Sequence, residues 1–95
     1  MSSYAVVWSE PRSEAETGKL EFLPADLRFE GARVRRVPYR EIEGVRVAYG
    51  AAERLYGRPA LVLDLAAGGS LRIGSVDGVG TVSELADELT RLSAR

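Results

Sequence analysis

Apolar and polar residues alternate along most of this chain, and the period changes only near its end. Leu20 and Phe22, then Leu27 and Phe29, recur every second residue on either side of Pro24-Ala25-Asp26, which predicts a hairpin with those four side chains on one face. Val45, Val47 and Tyr49 share one face of a later strand. Leu61, Leu63 and Leu65 share one face of the next, and Gly68-Gly69 turns it into alternating Leu71-Arg72-Ile73. Tyr4 to Trp8 is β-branched and aromatic and runs into Pro11, the pattern of a strand followed by a loop. In Arg33-Val34-Arg35-Arg36-Val37-Pro38-Tyr39 two adjacent arginines interrupt the alternation, which predicts a short edge strand or a bulge before the proline. Arg40 to Glu43 is short and helix-compatible. Val82, Leu85, Ala86, Leu89 and Leu92 then follow at steps of three and four, and Thr81 with Glu84 has capping-box spacing, so a helix is predicted over about Val82 to Ser93.

Seven short strands followed by one helix cannot bury themselves as a flat sheet, because one apolar face would stay wet. The expected architecture is mainly β, with seven antiparallel strands curled into a barrel or sandwich of four plus three, and the C-terminal helix closing its open end with Leu85, Leu89 and Leu92. At 95 residues the chain is read as a single domain spanning 1–95.

Composition narrows the chemistry. Histidine and cysteine are both absent, which removes the imidazole base, the thiol nucleophile, the usual zinc and haem ligands and any disulfide. Carboxylate pairs such as Glu41 with Glu43 or Asp87 with Glu88 are explained by exposed strand and helix faces, so no catalytic residue, metal site or cofactor is expected. No apolar run approaches the roughly eighteen residues of a membrane span, and Tyr4 to Trp8 lacks the basic flank of a leader, making the cytoplasm the expected compartment. Formal charge is −1 but unevenly placed. Residues 1–27 carry two basic against five acidic side chains, residues 28–58 eight against four, and residues 59–95 three against five. A net +4 in the middle segment falls short of a nucleic-acid footprint, and nucleic acid is not an expected partner.

The order of elements, together with Gly18-Lys19-Leu20-Glu21-Phe22, Arg36-Val37-Pro38-Tyr39-Arg40-Glu41-Ile42, Gly57-Arg58-Pro59-Ala60-Leu61-Val62-Leu63 and Glu84-Leu85-Ala86-Asp87-Glu88-Leu89, resembles a bacterial member of the pleckstrin-homology-like superfamily. The resemblance spans nearly the whole chain. It implies two near-orthogonal antiparallel sheets capped by the helix, and a non-catalytic platform for inositol phospholipids, peptides or other proteins. Lipid-binding members frame their first loop with basic residues. Here only Arg12 and Lys19 bracket that loop while Glu10, Glu14 and Glu16 crowd it, and their repulsion opposes a phosphorylated headgroup.

Two candidate sites follow. Arg33, Arg35, Arg36 and Arg40 form the densest group of like charge, able to grip anionic lipid or an acidic segment, or else to serve as a solvated edge strand paired with Glu41 and Glu43. Tyr39, Tyr49 and Tyr56 supply amphipathic surface of the kind enriched at interfaces. The preferred expectation is protein-protein contact or self-association, including addition of a strand beside the fifth strand and the helix. Peripheral binding to an anionic membrane surface through the arginines is the alternative, and a small enzyme, which would need a concave pocket of convergent polar groups, is the third reading. Gly78-Val79-Gly80 is read as a flexible connection into the helix.

Overall fold

Alternating side chains put one face of each strand in a common core, and the chain closes that core by curling a single antiparallel sheet. The computed structural model describes residues 3–11, 13–50, 55, 59–75 and 79–93. Its strands are β1 (Ser3–Ser9), β2 (Glu16–Phe22), β3 (Asp26–Glu30), β4 (Val34–Pro38), β5 (Ile42–Ala48), β6 (Ala60–Leu65) and β7 (Ser70–Ser75), with a 3-10 turn at Tyr39–Glu41 and a helix α1 at Val79–Ser93. The order across the sheet is β4-β3-β2-β1-β7-β6-β5, so the four strands and the three are joined where β1 pairs with β7, from Val6 opposite Ser75 to Ser9 opposite Arg72. The result is a curled half-barrel, with α1 packed against β5, β6, β7 and the 3-10 turn.

The inner face carries Val6, Trp8, Leu20, Leu27, Phe29, Val37, Leu61, Leu63, Leu71 and Ile73, and α1 closes it with Val82, Leu85 and Leu89, all of them buried. Of the four hairpin side chains, Phe22 is only half-buried and stands edge-on to Tyr4, with ring centroids 5.9 Å apart. A second, smaller apolar patch lies on the outside of the sheet. Val7, Ala60 and Val62 are buried although they point away from the core, and Leu55, from the connection between β5 and β6, is buried beside Gly74 of β7. Both faces of β6 are therefore covered. This is the physical reason for the unbroken apolar run Ala60 to Leu63, since a strand buried on two sides loses its alternation.

Of the two readings of residues 33–39, the short edge strand is the one found: β4 ends the sheet and pairs with β3 in an unbroken register from Asp26 opposite Pro38 to Glu30 opposite Val34, and the adjacent arginines make no bulge. The register shift falls in β5 instead, between Ile42 and Gly44. Helix α1 begins at Val79, ahead of the Thr81 start, which makes Thr81 its third residue and places Val79 and Gly80 inside the helix. The Thr81-Glu84 spacing therefore does not mark the N-cap. Gly78 lies outside the described residues. Between β6 and β7, Gly68 and Gly69 take φ of 90° and 85°, a backbone region where a side chain is strained, and the turn is held by the Gly68 N–H donating to Leu65 O at 3.0 Å.

Tyr39 ties the 3-10 turn to the first hairpin. Its ring is buried and its hydroxyl donates to Leu23 O at 2.7 Å. Burial, assisted by the carboxylates of Asp26 and Glu88, raises the phenol above its ordinary value of about 10. Above that ordinary value an unfolded chain releases a proton that the folded chain retains, so this contribution is intact below about pH 10 and is lost as pH rises into the alkaline range. Tyr39→Phe is expected to cost about 1 kcal/mol at neutral pH, for the lost hydrogen bond. It should also reduce the alkaline decline in urea stability, and a decline as steep as that of the parent chain would show that Tyr39 does not drive it.

Candidate functional site

Alternation decides where the arginines point. In β4, Arg35 lies directly opposite Phe29 and Val37 opposite Leu27, so the line Val37, Arg35, Arg33 continues the inner face out to the rim. There, on the same side as Trp8, the two guanidinium groups meet carboxylates from the start of the chain. Arg35 Nε donates to Glu10 Oε1 at 3.1 Å, Arg33 Nη2 reaches the same oxygen at 3.4 Å, and Arg33 Nε donates to Glu16 Oε2. The Arg33 guanidinium also lies 4.8 Å from the centroid of the Trp8 ring, which is fully buried beneath it and packs on Phe29 at 5.0 Å. The hydrogen bond to Glu16 raises the pKa of Arg33 further, with the charges of Glu16 and Glu10 adding to it, so the group stays ionised. An ionic cluster thus covers this part of the core.

Arg36 points the other way. It faces Arg28 across the ladder, and the like charges are balanced by Asp26, 3.8 Å from Arg36, and by Glu21 and Glu30, 2.9 and 2.6 Å from Arg28. Arg40 is exposed in the 3-10 turn. The four arginines therefore do not form one patch: two face inward at the rim, one faces outward, and one lies on the turn. The carboxylates around Arg33, Arg35 and Arg36 are Glu10, Glu16 and Asp26, where the sequence suggested Glu41 and Glu43. Beside the ionic cluster is an open cleft of about 450 Å³ lined by Ser13, Glu14, Glu16, Ala32 and Arg33. Glu16 Oε1 is buried there with no hydrogen-bond partner among the described residues, an unfilled acceptor that opposes an incoming phosphate.

The tyrosines separate as well. Tyr39 belongs to the core and is not available as contact surface. Tyr49 is 59% exposed just beyond the end of β5, and Tyr56 lies outside the described residues.

The two edges of the sheet are unlike each other. Backbone hydrogen bonds from Tyr39 N–H to Ala25 O and from Gly31 N–H to Arg33 O bracket the β3–β4 ladder. Alternation between those bonds turns residues 33, 35, 37 and 39 toward β3 and leaves Val34, Arg36 and Pro38 facing outward. Pro38 has no N–H to offer, and Arg36 O already accepts from Arg35 Nη1 at 2.6 Å, so the β4 edge is blunted. On the other side, the bond from Leu65 N–H to Gly69 O directs Leu61, Leu63 and Leu65 of β6 toward β7. Ala60, Val62 and Asp64 then bond to Ala48, Arg46 and Gly44 of β5, and the main-chain groups of Val45 and Val47 point away from the sheet. No proline interrupts β5.

This difference was not visible in the sequence, because it depends on which residues of each strand bond inward. The inward placement of Arg33 and Arg35 had a signal: both stand an even number of residues from Val37.

No protein-family model matches this chain, and no curated protein does. The structure is similar to that of the C-terminal domain of an unknown protein from Leishmania infantum, with a TM-score of 0.73, 13% sequence identity, and coverage of 100% of this chain and 84% of that one. At that identity the likeness carries the fold alone. Among the described residues no helix is long and apolar enough to cross a membrane, and no three His, Cys, Asp or Glu side chains converge as metal ligands.

Proposed function

We propose that this chain is a non-catalytic interaction module, in the manner of pleckstrin-homology-like platforms, that works by protein contact through the outer edge of β5. The observation that carries the reading is the contrast between the edges. A strand edge that presents main-chain donors and acceptors is a template for another strand, with main-chain bonds supplying affinity and alternate side chains supplying selectivity. β4 is blunted by Pro38 and Arg35, whereas β5 presents Val45 and Val47 beside the exposed Tyr49. The anionic-lipid reading draws less support, because Arg33, Arg35 and Arg36 already engage carboxylates and Glu16 faces the neighbouring cleft.

Val47→Pro tests the proposal. Its N–H points away from β6, so proline there removes a donor that the β5–β6 ladder does not use and an added strand would, at a position where edge strands tolerate it. Cross-linking in native extract should give complexes with the parent chain and with Arg35→Glu/Arg36→Glu, and none with Val47→Pro, while circular dichroism shows the variant still folded. Complexes that persist in Val47→Pro and vanish in the double arginine variant would overturn the reading, as would retention on anionic vesicles that depends on those arginines.

A further inference from the structure

We infer that the strand added to β5 is β5 of a second copy of this chain, paired antiparallel about a two-fold axis through Val47. The inference is built on the proposed role of that edge and specifies its occupant.

An antiparallel partner must meet the outward main-chain groups of Val45 and Val47 with outward groups of its own. For a second copy, keeping the partners of both residues within 43–49 restricts the axis to Val45, Arg46 or Val47. An axis at Arg46 sets the two Arg46 side chains directly opposite each other, like charge on like charge. One at Val45 sets Glu43 against the partner's Val47 and leaves Tyr49 beyond the pairing. An axis at Val47 pairs Val47 with itself and Val45 with Tyr49. Those three residues share one face of the strand, where Val45 and Val47 already pack against the core and Tyr49 is 59% exposed. On the other face this register sets Arg46 opposite Ala48, while Asp64 of the same chain lies 3.7 Å from Arg46 and offsets its charge. Of the three, only this register gives Val45, Val47 and Tyr49 apolar partners throughout without opposing like charges. The pairing is isologous, each copy offering the same patch.

The chain contains no cysteine, so single cysteines report the register directly. With the axis at Val47, the two Val47 Cα atoms stand about 5.5 Å apart, within the roughly 4.4–6.8 Å that a disulfide spans. The two Val45 Cα atoms are four residues out of register, about 13 Å apart along the strand. Purified Val47→Cys should oxidise to a covalent dimer at least tenfold faster than Val45→Cys or Arg46→Cys. Sedimentation equilibrium of the cysteine-free parent should show a monomer-dimer equilibrium that Val47→Pro abolishes. Faster cross-linking at position 45 or 46 would overturn the register. A purified parent chain that stays monomeric at high micromolar concentration would overturn the dimer. If Val47→Pro nevertheless abolished complexes in extract, the edge would still be a docking strand for a different protein, so the two failures are distinguishable.

Discussion

Gly18→Ala is expected to cost about 3 kcal/mol or more, the largest effect of any single-methyl addition to the described glycines. Gly18 lies on β2 just beyond the pair Lys19–Glu30, opposite Gly31 at the end of β3. A Cβ built there would stand 2.1 Å from Glu30 O, 2.8 Å from Glu30 C and 3.0 Å from Gly31 Cα. All three are main-chain atoms, so no rotamer change relieves the clash. Moving β2 aside would disturb its pairing with β1, where Gly18 faces Val6. A loss of that size is a large share of the 5–15 kcal/mol typical of a folded domain. Urea unfolding should show a lower midpoint with an unchanged slope. Gly50, whose built Cβ meets nothing within 4 Å, provides the comparison, with Gly50→Ala close to neutral. Equal midpoints for the two variants would mean that β2 and β3 do not approach so closely.

Leu89→Ala should be comparably damaging, at about 3 kcal/mol, because it removes buried methyl groups and leaves a cavity. Leu89 and Leu85 are fully buried, four residues apart on the face of α1 turned to the sheet. The helix depends on this contact: isolated helices of its length are marginal in water, and packing of the apolar face supplies their stability. The same substitution should also loosen the inner side of β5, where α1 packs against the strand. Ser83→Ala, on the exposed side of α1, is the control and should fall within about 0.5 kcal/mol of the parent. Thermal unfolding of both variants decides the matter. If Leu89→Ala cost no more than Ser83→Ala, the helix would not be an integral cap.

The strand count, the terminal helix and most of the core were legible because they follow from period alone. Leu20, Leu27, Phe29, Leu61 and Ile73 alternate in the sequence and share the core in the structure. What period could not supply was partnership between distant segments. Glu10 and Glu16 read as an acidic loop, and their contact with Arg33 and Arg35 arises only when the β1–β2 and β3–β4 registers bring the strand ends together. Tyr39 had the composition of a contact residue, yet the turn after Pro38 folds it into the core. Leu55 gave no periodic signal, and its packing beside Gly74 joins positions nineteen residues apart. The Thr81-Glu84 spacing did not mark the cap, because it lies inside a helix already under way at Val79.

If copies pair through β5 as proposed, the blunting of β4 limits how many can join. A sheet receptive at both margins would let each newcomer present another landing place, and growth could run on as an open-ended filament. With proline and a guanidinium occupying one margin, a single valence remains, and its use by an identical chain exhausts it. The stoichiometry would then be fixed at two by the other margin of the sheet, which takes no part in the contact between the copies.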